Sequence, residues 1–168
     1  MDKAKLQEMQ GPLKAQYRDS PDAARITLSA DGTLDDGIAC SVQTGQALVE
    51  AGLHPATGGT GLQACSGDML LQALVACAGV TLRAVATSLE IPITGGTLRA
   101  EGDLDFRGTL GVAKDAAVGF TSIRLTIDVD TDADAEQLAT LLKLTERYCV
   151  VYQTIAGNPA MNVELTTT

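Results

Sequence analysis

The sequence has no tryptophan, only two phenylalanines, three tyrosines and a single histidine, His54. With 45% apolar residues and so few aromatic rings, its core must come from leucine, valine, isoleucine and alanine. Metal-binding residues are equally sparse. The cysteines stand apart at 40, 65, 77 and 149, and no Cys-x-x-Cys occurs. A structural zinc needs clustered cysteine, histidine or carboxylate ligands, so no metal site is expected, and a thioredoxin-like dithiol is absent. In a reducing compartment the default is free thiols. Positive charge is short as well: 12 lysines and arginines against 21 acids leave a net charge of −9. Nucleic-acid binding needs a basic patch that displaces counterions, and anionic membranes recruit the same charge. Neither nucleic acid nor membrane is expected as a partner. No apolar run follows Met1-Asp2-Lys3-Ala4, so a secretory signal is not expected. The most apolar stretch, Met69–Leu82, is shorter than the roughly 20 residues that cross a bilayer. The chain reads as soluble and cytoplasmic.

What is present reads as one α+β domain over 1–168. Residues 1–22 form an N-terminal helical extension, with a polar helix over 2–17 broken at Gly11-Pro12. N-terminal strands fill 23–50: Ile26, Leu28 and Ala30 alternate up to a hairpin signal at Asp31-Gly32, then Ile38, Cys40 and Val42 alternate up to a turn at Thr44-Gly45. A third strand is expected over Gln46–Glu50, and a glycine-rich loop over 51–67. Residues 67–168 hold the long helix, two strands, the helix bearing the second cysteine and a final strand.

Ser66 is placed to cap a helix that runs from Gly67 to Glu90 and stops before Pro92. Only Gln72, Gly79, Arg83, Thr87 and Glu90 make a narrow polar stripe on it. An amphipathic surface helix has a wider polar face, so this helix is expected to be central and buried on most sides. Leu98–Phe106 and Ile123–Val129 alternate apolar and charged residues, the pattern of an antiparallel sheet wet on one face. Asp132 or Asp134 caps a second helix with Leu138, Leu141, Leu142 and Tyr148 on its buried side. Gly157-Asn158-Pro159 ends it, and Met161, Val163 and Leu165 alternate as a last strand. The expected architecture is an antiparallel sheet covering one long buried helix and one shorter one.

Two readings stand for Cys77, midway along the long helix. A free cysteine among small residues is a common core filler. The less common reading is a reacting thiol, which needs small neighbours so that another element can approach closely. Reactivity needs a lowered pKa, from a helix N-terminus or a cation. Cys77 lies too deep for its own helix N-terminus, so a cation from elsewhere must supply the effect. Cys149, after Glu146-Arg147-Tyr148, sits near the end of the second helix or at a break in it. Cys40 falls on the apolar face of a strand, and Cys65 beside the start of the long helix, where the helix end favours a thiolate slightly. His54 has no serine or acid partner at any specific spacing. Gly58, Gly59 and Gly61 match no phosphate loop.

Three stretches together resemble the OsmC/Ohr family of thiol-dependent hydroperoxide reductases. The first runs from His54-Pro55-Ala56-Thr57-Gly58-Gly59 into Ser66-Gly67-Asp68-Met69 and on through Val75-Ala76-Cys77-Ala78-Gly79 to Leu82. The second is Asp105-Phe106-Arg107-Gly108 through Val118-Gly119-Phe120, and the third Glu146-Arg147-Tyr148-Cys149-Val150-Val151. They span 54–155 in the family's order. The resemblance implies an intertwined homodimer, with antiparallel sheets wrapped around two central helices and active sites at the subunit interface. It implies Cys77 as the thiol that reduces organic hydroperoxides and Cys149 as the thiol that resolves its sulfenic acid. An external dithiol reductant is implied, and no cofactor. Two positions depart from the family pattern: Gly67 stands where many members have a glutamate, and no arginine lies in the hairpin around Asp31-Gly32, leaving Arg18 and Arg25 as the N-terminal arginines. The rival readings are a small-molecule binding protein on the same fold and a structural protein with all its thiols buried.

Overall fold

A computed structural model describes residues 2–20, 32–34, 39–44, 47–111 and 113–167. The expected strand over Ile26–Ala30 lies outside these residues, as do Arg25 and the side chains of Arg18 and Cys40. The described chain mixes helix and sheet. Helix α1 (Lys3–Asp19) begins at Asp2, whose Oδ1 accepts from the Lys5 N–H at 2.8 Å. It continues through Gly11 and Pro12 instead of breaking there. An interior proline removes one hydrogen bond and crowds the carbonyl four residues back. Docking on the long helix outweighs that local signal: Leu6 is buried, and Lys3 Nζ meets Glu90 Oε2 at 2.8 Å.

Strands β1 (Gly32–Leu34), β2 (Ala39–Thr44) and β3 (Ala47–Gly52) form an antiparallel meander, and the short β4 (Ala64–Cys65) joins β3 in parallel. Gly32, expected in a hairpin turn, is instead a paired strand residue opposite Val42, and Asp31 lies outside the described residues. The expected turn after Thr44 agrees with the pairing of Thr44 with Ala47. Strands β5 (Gly95–Leu104) and β6 (Phe120–Asp130) form a separate two-stranded sheet. Strand β6 extends beyond the expected Ile123–Val129 at both ends, whereas β5 begins earlier than the expected Leu98 and ends at Leu104, short of Phe106, which lies in a helical turn. Their register sets Leu98 opposite Ile127, Ala100 opposite Leu125 and Gly102 opposite Ile123. One face is therefore apolar throughout, and Arg99, Asp103, Arg124 and Asp128 stand exposed on the other. At Gly102 the Phe120 ring lies so close that a Cβ would meet it at 2.5 Å, which is why the strand carries glycine there. Between β5 and β6 lies a single helical turn, α3 (Phe106–Thr109), capped by Asp105, whose side chain accepts from the Arg107 N–H.

Helix α2 (Ser66–Leu89) has 24 residues, about 36 Å at 1.5 Å per residue. Its cap is Cys65, in extended conformation, and not Ser66, which is the first helical residue. The last carbonyls are satisfied by Glu90 in the left-handed conformation (φ 59°), whose N–H reaches Ala86 and Thr87. The whole helix is long and apolar enough to cross a membrane by length and composition, which the Met69–Leu82 run alone did not suggest. It carries Asp68, Gln72 and Arg83, however, and packs on β5, α4 and α5. Within the single chain it buries one stripe only: Leu74, Ala78, Leu82, Val85 and Ala86. Val80 on another face is 73% exposed. The expectation of burial on most sides is therefore not met by one copy of the chain.

Helix α4 (Ala135–Tyr148) starts with a capping box: Asp134 Oδ1 accepts from the Gln137 N–H at 2.9 Å, and Gln137 Oε1 accepts from the Asp134 N–H at 3.0 Å. Leu141 and Thr145 are its buried residues, whereas Leu142 and Tyr148 point outward, contrary to the expected face. Leu82, Val85, Ala86, Ile91 and Leu141 form the core cluster, with Ile127 and Val129 of β6 against it. Helix α5 (Val150–Gly157) follows after a break at Cys149 and ends at Asn158 in the left-handed conformation. The expected last strand is absent among the described residues: 158–167 has no regular structure, and Met161, Val163 and Leu165 stand exposed.

Candidate active site

The break between α4 and α5 organises the site. The Cys149 N–H still closes the last turn of α4 on the Thr145 carbonyl at 2.9 Å, and the Cys149 carbonyl accepts the first α5 bond, from the Gln153 N–H at 2.9 Å. The residue itself is extended (φ −73°, ψ 107°) and serves as C-cap of one helix and N-cap of the next. A helix N-terminus leaves its first N–H groups without intrahelical partners. Those of Val150 and Val151 find the Cys77 sulfur on α2.

Cys77 and Cys149 are both free thiols, and their side chains share a hydrogen bond. The two are shifted in opposite directions. Burial works to raise the Cys77 thiol, but the Val151 N–H, the Cys149 thiol, the Val150 N–H and the Thr81 hydroxyl together carry it below its ordinary value. Cys149 is 1% exposed. Burial pushes it up most, the Tyr152 N–H opposes this, and the neighbouring Cys77 sulfur pushes it further up against a smaller opposing effect of the Val151 N–H. The arrangement favours the thiolate form at Cys77 and the protonated form at Cys149.

The cation expected beside Cys77 does not appear among the groups that lower its pKa, among the described residues. Its place is taken by the partial positive charge of the α5 N-terminus. Sequence reasoning looked for a side chain and missed these backbone donors, and it passed over Thr81. For Thr81 a signal existed, because four residues along a helix place it next to Cys77.

A groove of about 580 Å³ runs along α2 from Val80 and Thr81 onward, between α1, α2 and α4. Leu6, Val85, Leu144 and Tyr148 give it an apolar lining, and Thr81 and Lys14 are among its polar groups.

The remaining candidates lie elsewhere. Cys65 is half-buried at the start of α2. His54 accepts the Ala56 N–H on Nδ1 at 3.0 Å, and its ring stacks on Phe106 at 5.2 Å between centroids. Gly67 and Asp68 stand in the first turn of α2. Among the described residues no group of three histidines, cysteines or acids is placed to hold a metal ion.

Several known proteins share this arrangement of elements. An OsmC-like protein from Mycoplasma pneumoniae superposes with a TM-score of 0.66 at 15% identity, over 79% of this chain and 89% of its own. An organic hydroperoxide resistance protein from Elizabethkingia anophelis gives 0.63 at 18% identity, over 80% and 91%. One from Legionella pneumophila gives 0.62 at 18%, over 80% and 93%. At these identities the likeness is one of fold. No curated protein matches the sequence. The family model for OsmC-like proteins matches residues 59–164, which include both Cys77 and Cys149. By that match over more than half its length, the chain belongs to the OsmC-like protein family.

Proposed function

We propose that the protein is a thiol-dependent peroxidase that reduces organic hydroperoxides to alcohols, with Cys77 as the attacking thiol and Cys149 as the resolving one. The observation that carries this reading is the contact between the two sulfurs, with Cys77 shifted toward thiolate and Cys149 held protonated. Organic hydroperoxide resistance proteins among the fold relatives support it.

The Cys77 thiolate attacks the terminal oxygen of the hydroperoxide. The O–O bond breaks, sulfur is oxidised to sulfenic acid, and the alkoxide takes a proton from solvent and leaves as the alcohol. Loss of the Cys77 charge removes one cause of the raised Cys149 pKa. Cys149 then ionises more readily and attacks the sulfenic sulfur, forming the Cys77–Cys149 disulfide and releasing water. An external dithiol reopens the disulfide in two exchanges. Resolution thus follows oxidation and does not compete with it. No resident cofactor takes part.

The working form in this reading is a cytoplasmic, intertwined homodimer with the two α2 helices at its centre. Val80 on α2, Val150 on α5 and Met161, Val163 and Leu165 beyond it are all large apolar residues left exposed by one copy. Nucleic acid and membrane are not partners in it.

The test is organic hydroperoxide consumption with a dithiol reductant, for wild type and Cys77→Ser. Turnover by the wild type and none by Cys77→Ser is expected. No wild-type turnover, with no sulfenic acid trapped at Cys77, would overturn the proposal. A second reading is a small-molecule binding protein on the same fold. The groove lined by Thr81 and the lack of a cation among the described groups that lower the Cys77 pKa favour it, and it predicts saturable binding of apolar ligands without consumption of hydroperoxide.

A further inference from the structure

Cys77 and Thr81 are one helical turn apart on α2, so their side chains leave the same face. A threonine inside a helix commonly donates its hydroxyl to the carbonyl four residues back. Two others in this chain do so: Thr87 donates to the Arg83 carbonyl and Thr145 to the Leu141 carbonyl, each at 2.8 Å. Thr81 makes no such back-bond, and its hydroxyl is one of the groups that lower the pKa of the Cys77 thiol one turn before it. Thr81 also lines the groove between α1, α2 and α4, next to Val80 and Ala84. Thr81 is thus both a lining residue of the groove and a helical neighbour of the thiol.

We infer that Thr81 is a catalytic residue of the thiol site, its Oγ1–H donating to the Cys77 thiolate as a neutral substitute for the cation that a mid-helix cysteine otherwise needs. The inference rests on the reading of Cys77 as the reacting thiol. Hydrogen bonds to an ionised acceptor are about twice as strong as neutral ones, so a single well-placed hydroxyl has leverage on the thiolate population. It also differs from the other donors in origin. Val150 and Val151 act from α5 across an interhelix contact, whereas Thr81 is fixed to Cys77 by the same helix and keeps its place if α5 moves.

The experiment compares wild type, Thr81→Val and Thr81→Ser by the pH dependence of iodoacetamide alkylation at Cys77, resolved from the other thiols by peptide mass spectrometry. No hydroperoxide is needed, so the result does not depend on peroxidase activity. Valine keeps the shape of threonine and removes the donor; serine keeps the donor. Thr81→Val is expected to shift the alkylation profile to higher pH and to slow the reaction at neutral pH about tenfold, the weight of one hydrogen bond to a charged group. Thr81→Ser is expected to restore the wild-type profile, with all three proteins melting at the same temperature. A Thr81→Val profile that overlays the wild type would overturn the inference, as would a Thr81→Ser profile displaced as far as that of valine. A wild type that consumes no hydroperoxide but shows the threonine-dependent shift supports this role for Thr81 and removes the peroxidase reading alone.

Discussion

Burial pushes the Cys149 thiol up, and the Cys77 sulfur beside it adds to the push. The second cause is removable. In Cys77→Ser, alkylation of Cys149 is expected to begin at lower pH than in wild type, yet still above the range of an exposed thiol, because burial remains. An unchanged Cys149 profile would mean that the two sulfurs do not communicate. The converse substitution, Cys149→Ser, deprives the Cys77 sulfenic acid of its partner. Hydroperoxide treatment is expected to leave a trappable sulfenic acid at Cys77, and rapid multiple turnovers of this variant with a dithiol would argue against the resolving role. The sign of the linkage follows for Cys77. Its folded pKa lies below the ordinary thiol value, so its contribution to stability is present at and above that value and is lost as pH falls through the lowered one. Both cysteines were legible in the sequence as a possible pair. What was not legible is their opposite polarity, because it depends on N–H groups that carry no side-chain signature.

At the scale of the element, α5 is the decisive feature. Its N-terminus supplies two donors to Cys77, and the chain breaks at Cys149 to aim them. The extended conformation of Cys149 is one that a residue before proline adopts readily, and proline is tolerated at the first position of a helix. Val150, at that position, is 68% exposed. Val150→Pro is therefore expected to fold with α5 intact while losing one N–H donor. Its alkylation profile at Cys77 should move to higher pH, and a profile identical to wild type would remove the α5 N-terminus from the account. The α4 helix was readable from its cap and its leucines. Its orientation was not, since Leu141 and Thr145 face the core while Leu142 and Tyr148 turn outward. Leu141 is 2% exposed within the core cluster. Leu141→Ala is expected to cost about 2–5 kcal/mol in urea unfolding. A cost below about 1 kcal/mol would place the core elsewhere. The strands of the second sheet were the most legible elements, because one face of β5–β6 is apolar at every paired position. The Gly11-Pro12 break was misleading, because packing of α1 on α2 is a tertiary effect that local sequence does not carry.

For the whole molecule, the apolar pattern of α2 pointed to a helix buried all round, yet one copy of the chain covers a single stripe. Val80, and Met161, Val163 and Leu165 near the C-terminus, are left in water. These are the positions where the sequence was read as core helix and final strand. Both expectations describe surfaces that a single chain leaves uncovered, and the proposed homodimer gives them a partner. Sedimentation at micromolar concentration is expected to give twice the chain mass, and Val80→Glu to shift it toward the monomer. A wild-type mass of one chain would contradict that assembly. The negative net charge supplies no steering for an anionic ligand.

The central claim is that Cys77 and Cys149 act as one redox unit. It is tested most directly by treating the wild-type protein, without reductant, with one equivalent of an organic hydroperoxide and mapping its disulfides by mass spectrometry. The account predicts a single bridge between Cys77 and Cys149, with one alcohol formed per bridge. Unreacted hydroperoxide, or a bridge involving Cys65 in place of Cys149, would contradict it.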